Sequence, residues 1–172
     1  MDYDFGDILD CRDCAIEHFI LVLGTNKKNE VMYYQITSRT YKVFKNILDF
    51  FNDCIDNKYG RFFKHFSKEK GKLKIHQTGR LCDAFFLDEK TNYSGHLEVD
   101  SMVLINSEPE VMDKDALDNL HSNKLVKFRT RLEYNDFEKV TQLVKLSKYI
   151  STQNKSEIGR NYNSWKKNNP KK

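Results

Sequence analysis

The 172-residue chain has room for one ordinary domain, and two independent cores would be cramped. Hydrophobic residues at 39% and aromatics at 13% allow a packed core, while 31% charged residues and a mean hydropathy of -0.72 point to a soluble protein. No apolar run approaches the ~20 residues that span a bilayer, and the net charge of +4 is weak but unevenly placed.

The opening "MDYDFGDILD" is acidic and lacks the basic-then-apolar order of a signal peptide, so the expected compartment is cytoplasmic. "FGDIL" alternates into a short strand. "EHFILVLG" is rich in Phe, Ile, Leu and Val and reads as a buried strand. "TNKKNE" supplies turn residues, and "VMYYQITS" resumes strand character, so these runs predict an antiparallel meander. The period then changes: Phe44, Ile47, Leu48, Phe51 and Ile55 follow helical spacing, with Ser38 or Thr40 available as a cap. A basic segment follows over residues 58–74, as a short helix, a loop or both. Strands return over residues 81–87 and in "HLEVDSMVLIN", where a shift of alternation at Asp100 and Ser101 suggests a bulge or bend.

"DKDALDNL" predicts one or two helical turns, and "KLVKFRTRL" alternates as a strand. The last predicted element is a helix in "YNDFEKVTQLVKLSKYI". Asn135 or Asp136 would cap it, and Phe137, Val140, Leu143, Val144 and Ile150 form its apolar stripe. Beyond Ser151 the composition falls to Asn, Lys, Ser and Gln with one Trp. Residues 152–172 therefore read as a disordered basic tail behind a single domain of residues 1–151. The expected class is mainly β with helices (α+β). Many short strands with a closing helix suit a small, strongly bent antiparallel barrel with an inserted helix.

Four features carry candidate chemistry. Cys11 and Cys14 form a C-x-x-C pair. No second pair or H-x-x-x-H accompanies it, so reduced thiols are expected, with a metal or redox site as the alternative. No metal and no cofactor are expected. Residues 60–80, "GRFFKHFSKEKGKLKIHQTGR", interleave cations with aromatics, a pattern that holds phosphates by charge and stacks bases on rings. Arg61, Lys64, Lys72, Lys74 and Arg80 are its candidate nucleic-acid contacts, with His65 and His76 as weaker ones; a solvated loop or hairpin is the plain alternative. Third, strict pairing across "TNKKNE" matches residue 18 with about 37, which would set His18 beside Thr37. Fourth, Ser38 and Arg39 follow directly, where hydroxyls can orient a phosphate and a guanidinium can grip it.

"GDIL", then "HFILVLG", then a strand ending "ITSR" resembles the start of PemK/MazF-like proteins, and "GHLEVDSMVLIN" resembles that family's later Asp-containing strand. A closing helix over residues 134–151 also fits, so the resemblance spans residues 5–151. It implies an SH3-like barrel, often a homodimer. It also implies a toxin of a toxin–antitoxin pair, partnered by an antitoxin protein, that cleaves RNA as a metal-independent endoribonuclease. The family's catalytic Thr falls on Thr37; its catalytic Arg falls on His18 or Glu17, and the following Pro on Phe19.

Metal-free cleavage needs a base for the 2′-hydroxyl, an acid for the leaving oxygen and positive charge for the phosphorane. His18 has the right acid–base character, and Thr37 with Arg39 completes the expected catalytic set. Each residue also has an ordinary role available: a surface His, turn or cap hydroxyls, a solvated Arg. A non-catalytic nucleic-acid- or protein-binding barrel is therefore the rival expectation. The chain carries no signal for a membrane partner.

Overall fold

Apolar runs rich in Ile, Val, Leu and Tyr become three consecutive antiparallel strands, β1 (Asp7–Asp10), β2 (Phe19–Thr25) and β3 (Glu30–Thr37). The computed structural model describes residues 3–37, 68–69, 72–77, 80–87, 97, 101–105 and 107–169. The chain forms two compact units, Met1–Ile36 with Ser107–Lys172, and Thr37–Asn106.

In the first unit, Leu9 pairs with Ile20, Phe19 with Ile36 and Val22 with Tyr33. The connection between β2 and β3 is held by Asn26. Its side-chain oxygen accepts from the backbone N–H groups of Lys28 (2.9 Å) and Glu30 (3.0 Å), an Asx turn that Asn29 completes with φ 63°. Just before that turn the ladder slips between Val22 and Thr25, at Gly24 with φ 93°. A Cβ there would overlap the Asn161 side chain, so only glycine fits this bulge.

Two later segments extend the sheet. β8 (Glu110–Asp113) pairs with β3, and β9 (Lys127–Arg131) pairs with β1. The order is β8-β3-β2-β1-β9, all antiparallel. Among the described residues its outer strands do not pair with each other, so the sheet is open. With three helices, the unit is α+β. Helix α1 (Lys114–Ser122) starts where the Asp113 carboxylate accepts from Ala116 N–H at 3.0 Å. Its Leu117 joins a core of Leu9, Cys11, Ile20, Val22, Val31 and Tyr33.

The other core is aromatic. Helices α2 (Tyr134–Leu146) and α3 (Thr152–Asn168) bring Phe137 against Phe5 (5.4 Å between centroids) and Trp165 onto Phe137 (3.6 Å). Gly6, with φ 91°, lies so close to the Phe137 ring that a Cβ would overlap it. Asn135 and Asp136, expected as caps, sit inside the first turn of α2; the N-cap position is Glu133, without a side-chain cap bond.

The disordered tail expected after Ser151 is corrected by α3. Ser151 caps this helix by accepting from Asn154 N–H at 3.2 Å. Ile158, Tyr162 and Trp165 then fall at helical spacing and are all buried. Averaged composition hides three apolar residues that periodicity places on one stripe.

In the second unit, β4 (Lys68–Glu69), β5 (Lys72–Gln77), β6 (Arg80–Leu87) and β7 (Ser101–Ile105) pair in succession, all antiparallel. Phe85, Leu87, Leu97, Val103 and Ile105 are buried. The helix expected over residues 40–56 lies outside the described residues, as does Asp100 of the expected bulge or bend. Among the described residues no helix is long and apolar enough to cross a membrane.

Candidate functional site

The chemistry concentrates where β1 runs beside β9. Asp10 ends β1 opposite Phe19 on one side and Lys127 on the other. Its carboxylate is buried, yet it accepts from two guanidiniums. Arg12 donates through Nε to Oδ1 and through Nη2 to Oδ2, each at 3.0 Å, and its backbone N–H adds a third bond at 3.2 Å. Arg129, from β9, donates to Oδ2 through Nε at 3.1 Å and through Nη2.

Both guanidiniums also lie over the Phe19 ring, 4.5 Å from its centroid for Arg12 and 6.0 Å for Arg129. The layering has an electrostatic consequence. The Asp10 side chain is 4% exposed, whereas those of Arg12 and Arg129 are 37% and 38% exposed. The carboxylate is underneath and the cations face solvent. Burial pushes the Asp10 carboxyl up, but the hydrogen bonds from Arg12 and Arg129 outweigh it and hold the group well below the usual carboxylate range. Asp10 therefore stays ionised and accepts from both guanidiniums.

The neighbouring pairs continue the pattern. Arg131 donates to Asp7 at 2.6 Å and to Asp4 at 3.0 Å, and Lys127 meets Asp13 at 3.0 Å. Asp7 is buried, and here burial outweighs Arg131, so its carboxyl lies above the ordinary value.

His18 immediately precedes Phe19 and is exposed. Its carbonyl accepts from Cys11 N–H at 3.0 Å, which ties the loop between β1 and β2 to the same edge. Thr37 ends β3 and belongs to the second unit. The β2–β3 ladder has Phe19 opposite Ile36. Ser38, Arg39, Arg61 and Lys64 lie outside the described residues. Lys72 and Lys74 stand two apart on β5, and Arg80 opens β6 opposite Gln77; their side chains lie outside the described set.

Sequence reasoning missed Arg12 and Arg129. Two signals were present: an Asp at each end of the four-residue β1, and cations at alternate positions 127, 129 and 131. Nothing local says that these two features meet.

The C-x-x-C pair reads differently in space. Cys11 and Cys14 are free thiols, and the Cys14 Sγ donates to the Cys11 carbonyl at 3.1 Å. Burial, with smaller contributions from Cys14 and Asp10, pushes the Cys11 thiol up to about 12. Such a thiol stays protonated at neutral pH and packs as a small core residue. Among the described residues no three His, Cys, Asp or Glu side chains gather as a metal site.

No protein-family model matches this chain, and neither a curated protein nor a solved structure does.

Proposed function

We propose that this protein binds RNA, holding backbone phosphate against Arg12 and Arg129 at the β1–β9 edge. One observation carries the reading: two half-exposed guanidiniums share a buried carboxylate and an aromatic ring beside an exposed His18. Asp10 fixes the direction of both forks, so their donors are ordered before a ligand arrives. Arg129 spends only two of its five N–H donors on Asp10, and a guanidinium held this way can still grip a phosphate oxygen. The Phe19 ring adds an apolar surface under the cations.

Metal-independent RNA cleavage is the second reading, and the position of His18 favours it. The resemblance to PemK/MazF-like proteins expects an Arg near this place, and Arg12 and Arg129 bring positive charge to the adjoining residue. In this reading His18 takes or gives the proton and the arginines balance the phosphorane charge. The chain would then be a cytoplasmic toxin with an SH3-like barrel, an antitoxin partner and a second copy of itself. Thr37 and Arg39 remain candidate catalytic residues of the second unit, and the basic segment a candidate RNA contact within it.

Binding and cleavage are separable by one experiment. Single-stranded RNA is titrated at several salt concentrations, with wild type, Arg12→Gln, Arg129→Gln and His18→Ala, in the presence of a chelator. Binding predicts that each Arg variant weakens affinity and lowers the log–log salt slope by about 0.7, while His18→Ala binds as wild type. Cleavage adds new RNA ends that vanish in His18→Ala. A protein that fails to bind RNA at low salt overturns both readings.

A further inference from the structure

A second feature stands apart from the Asp10 cluster and from the RNA reading. We propose that the cavity at the C-terminal end of α3 binds a small, neutral, hydroxyl-rich molecule of monosaccharide size. The cavity measures about 320 Å³ and lies among residues 3–5, the Gly24 bulge, the start of α1 and the last turns of α3. That space equals roughly ten water molecules, at the small end of ligand sites.

The lining groups define the chemistry. Asn161 spends its amide N–H groups on the Leu23 carbonyl (3.2 Å) and the Thr25 carbonyl (3.1 Å), leaving Oδ1 as an acceptor. Asn169 spends Nδ2 on the Trp165 carbonyl at 3.0 Å, which likewise leaves Oδ1. Ser164 and Asn168 supply groups that both donate and accept. Trp165, on the cavity wall, has a buried indole N–H without a hydrogen-bond partner among the described residues, which is rare in folded proteins.

Charge narrows the ligand. Asp4 is paired with Arg131 and Lys114 with Asp118, so the two charged lining residues offset each other. The carbonyl end of α3 carries partial negative charge and disfavours phosphate. The Lys114 ammonium disfavours an organic cation. A neutral molecule remains, and hydroxyls match the mixed donors and acceptors while its C–H face packs on the indole ring.

Trp165 is the chain's one tryptophan, so its emission reports on this cavity. The test follows that emission, with calorimetry, while the full chain is titrated separately with D-glucose, D-ribose, inorganic phosphate and putrescine. A saturable response to at least one sugar is expected, about tenfold weaker in Asn168→Ala and lost in Ser164→Phe, which fills the space. Both substituted positions are exposed, and circular dichroism verifies that each variant folds. No saturable response to either sugar overturns the proposal. So does sugar binding unchanged in both variants, or saturable binding confined to phosphate or putrescine.

Discussion

Two buried aspartates three residues apart on β1 meet opposite electrostatic outcomes. Asp10 accepts from two guanidiniums and a backbone N–H, and its carboxyl is held well below the usual range. Asp7 accepts from Arg131, which it shares with Asp4, and from the Asp4 backbone N–H at 3.0 Å; burial wins and the carboxyl is raised. Desolvation acts on both. The number of donors converging on each carboxylate decides the sign. A register shift between Ile8 and Leu9 separates the two environments along β9, with Arg131 opposite Asp7 and Lys127 opposite Asp10.

The largest expected effect breaks the frame that holds both carboxylates. Phe137→Ala removes the ring packed on Gly6, Phe5 and Trp165 and should cost about 3–5 kcal/mol. Urea unfolding measures this; a loss below about 1 kcal/mol would mean that the aromatic core does not anchor β1.

Asp10→Asn comes next. It keeps the shape and removes the charge that two guanidiniums share. Hydrogen bonds to charged groups are worth about 1.5–3 kcal/mol. The lower part of that range applies, because both guanidiniums are more than a third exposed. Arg129→Lys keeps a cation but gives up the fork, so a loss of about 0.5–1 kcal/mol is expected, with Arg12 still in place.

Asp7→Asn should change stability least at pH 7, by under about 1 kcal/mol, because it removes a burdened charge. The pH dependence sharpens the contrast. Asp10 has a folded pKa below the unfolded value of 3.8, so its contribution is present above that value and is lost as pH falls toward the folded pKa. Asp7 is raised above 3.8, so its ionisation destabilises the fold, and acid relieves that burden as pH falls through the folded pKa. The deficit of Asp10→Asn relative to wild type should shrink in acid. Asp7→Asn should lose ground to wild type over the same fall. Parallel shifts in both variants, measured by urea unfolding from neutral to acid pH, would remove the distinction.

Much of the first unit was legible in the chain. Apolar runs rich in Ile, Val, Leu and Tyr marked β1, β2 and β3, and the turn at Asn26 set a register with Phe19 opposite Ile36. The strand at β9 and the helices α1 and α2 also follow their own periodicity. β8 was not legible: four residues with a mostly exposed pattern carry no alternation of their own and are defined by their pairing with β3. α3 was concealed by Asn- and Lys-rich composition around a sparse stripe, and only packing against Phe137 shows why Trp165 is there. Of the expected site, His18 stands exposed beside the cluster, while Arg12 and Arg129 were not foreseen.

By itself the sequence determined local matters: which runs alternate, where glycine and asparagine turn the chain, and which helical stripes are apolar. These depend on residues a few positions apart. Tertiary structure decided that β9 lies against β1, bringing Arg129 to a carboxylate 119 residues earlier in the chain. Burial sets the cost of charge on Asp10 and Asp7 alike, but the donors that offset it come from a distant strand, so its sign emerges only on folding.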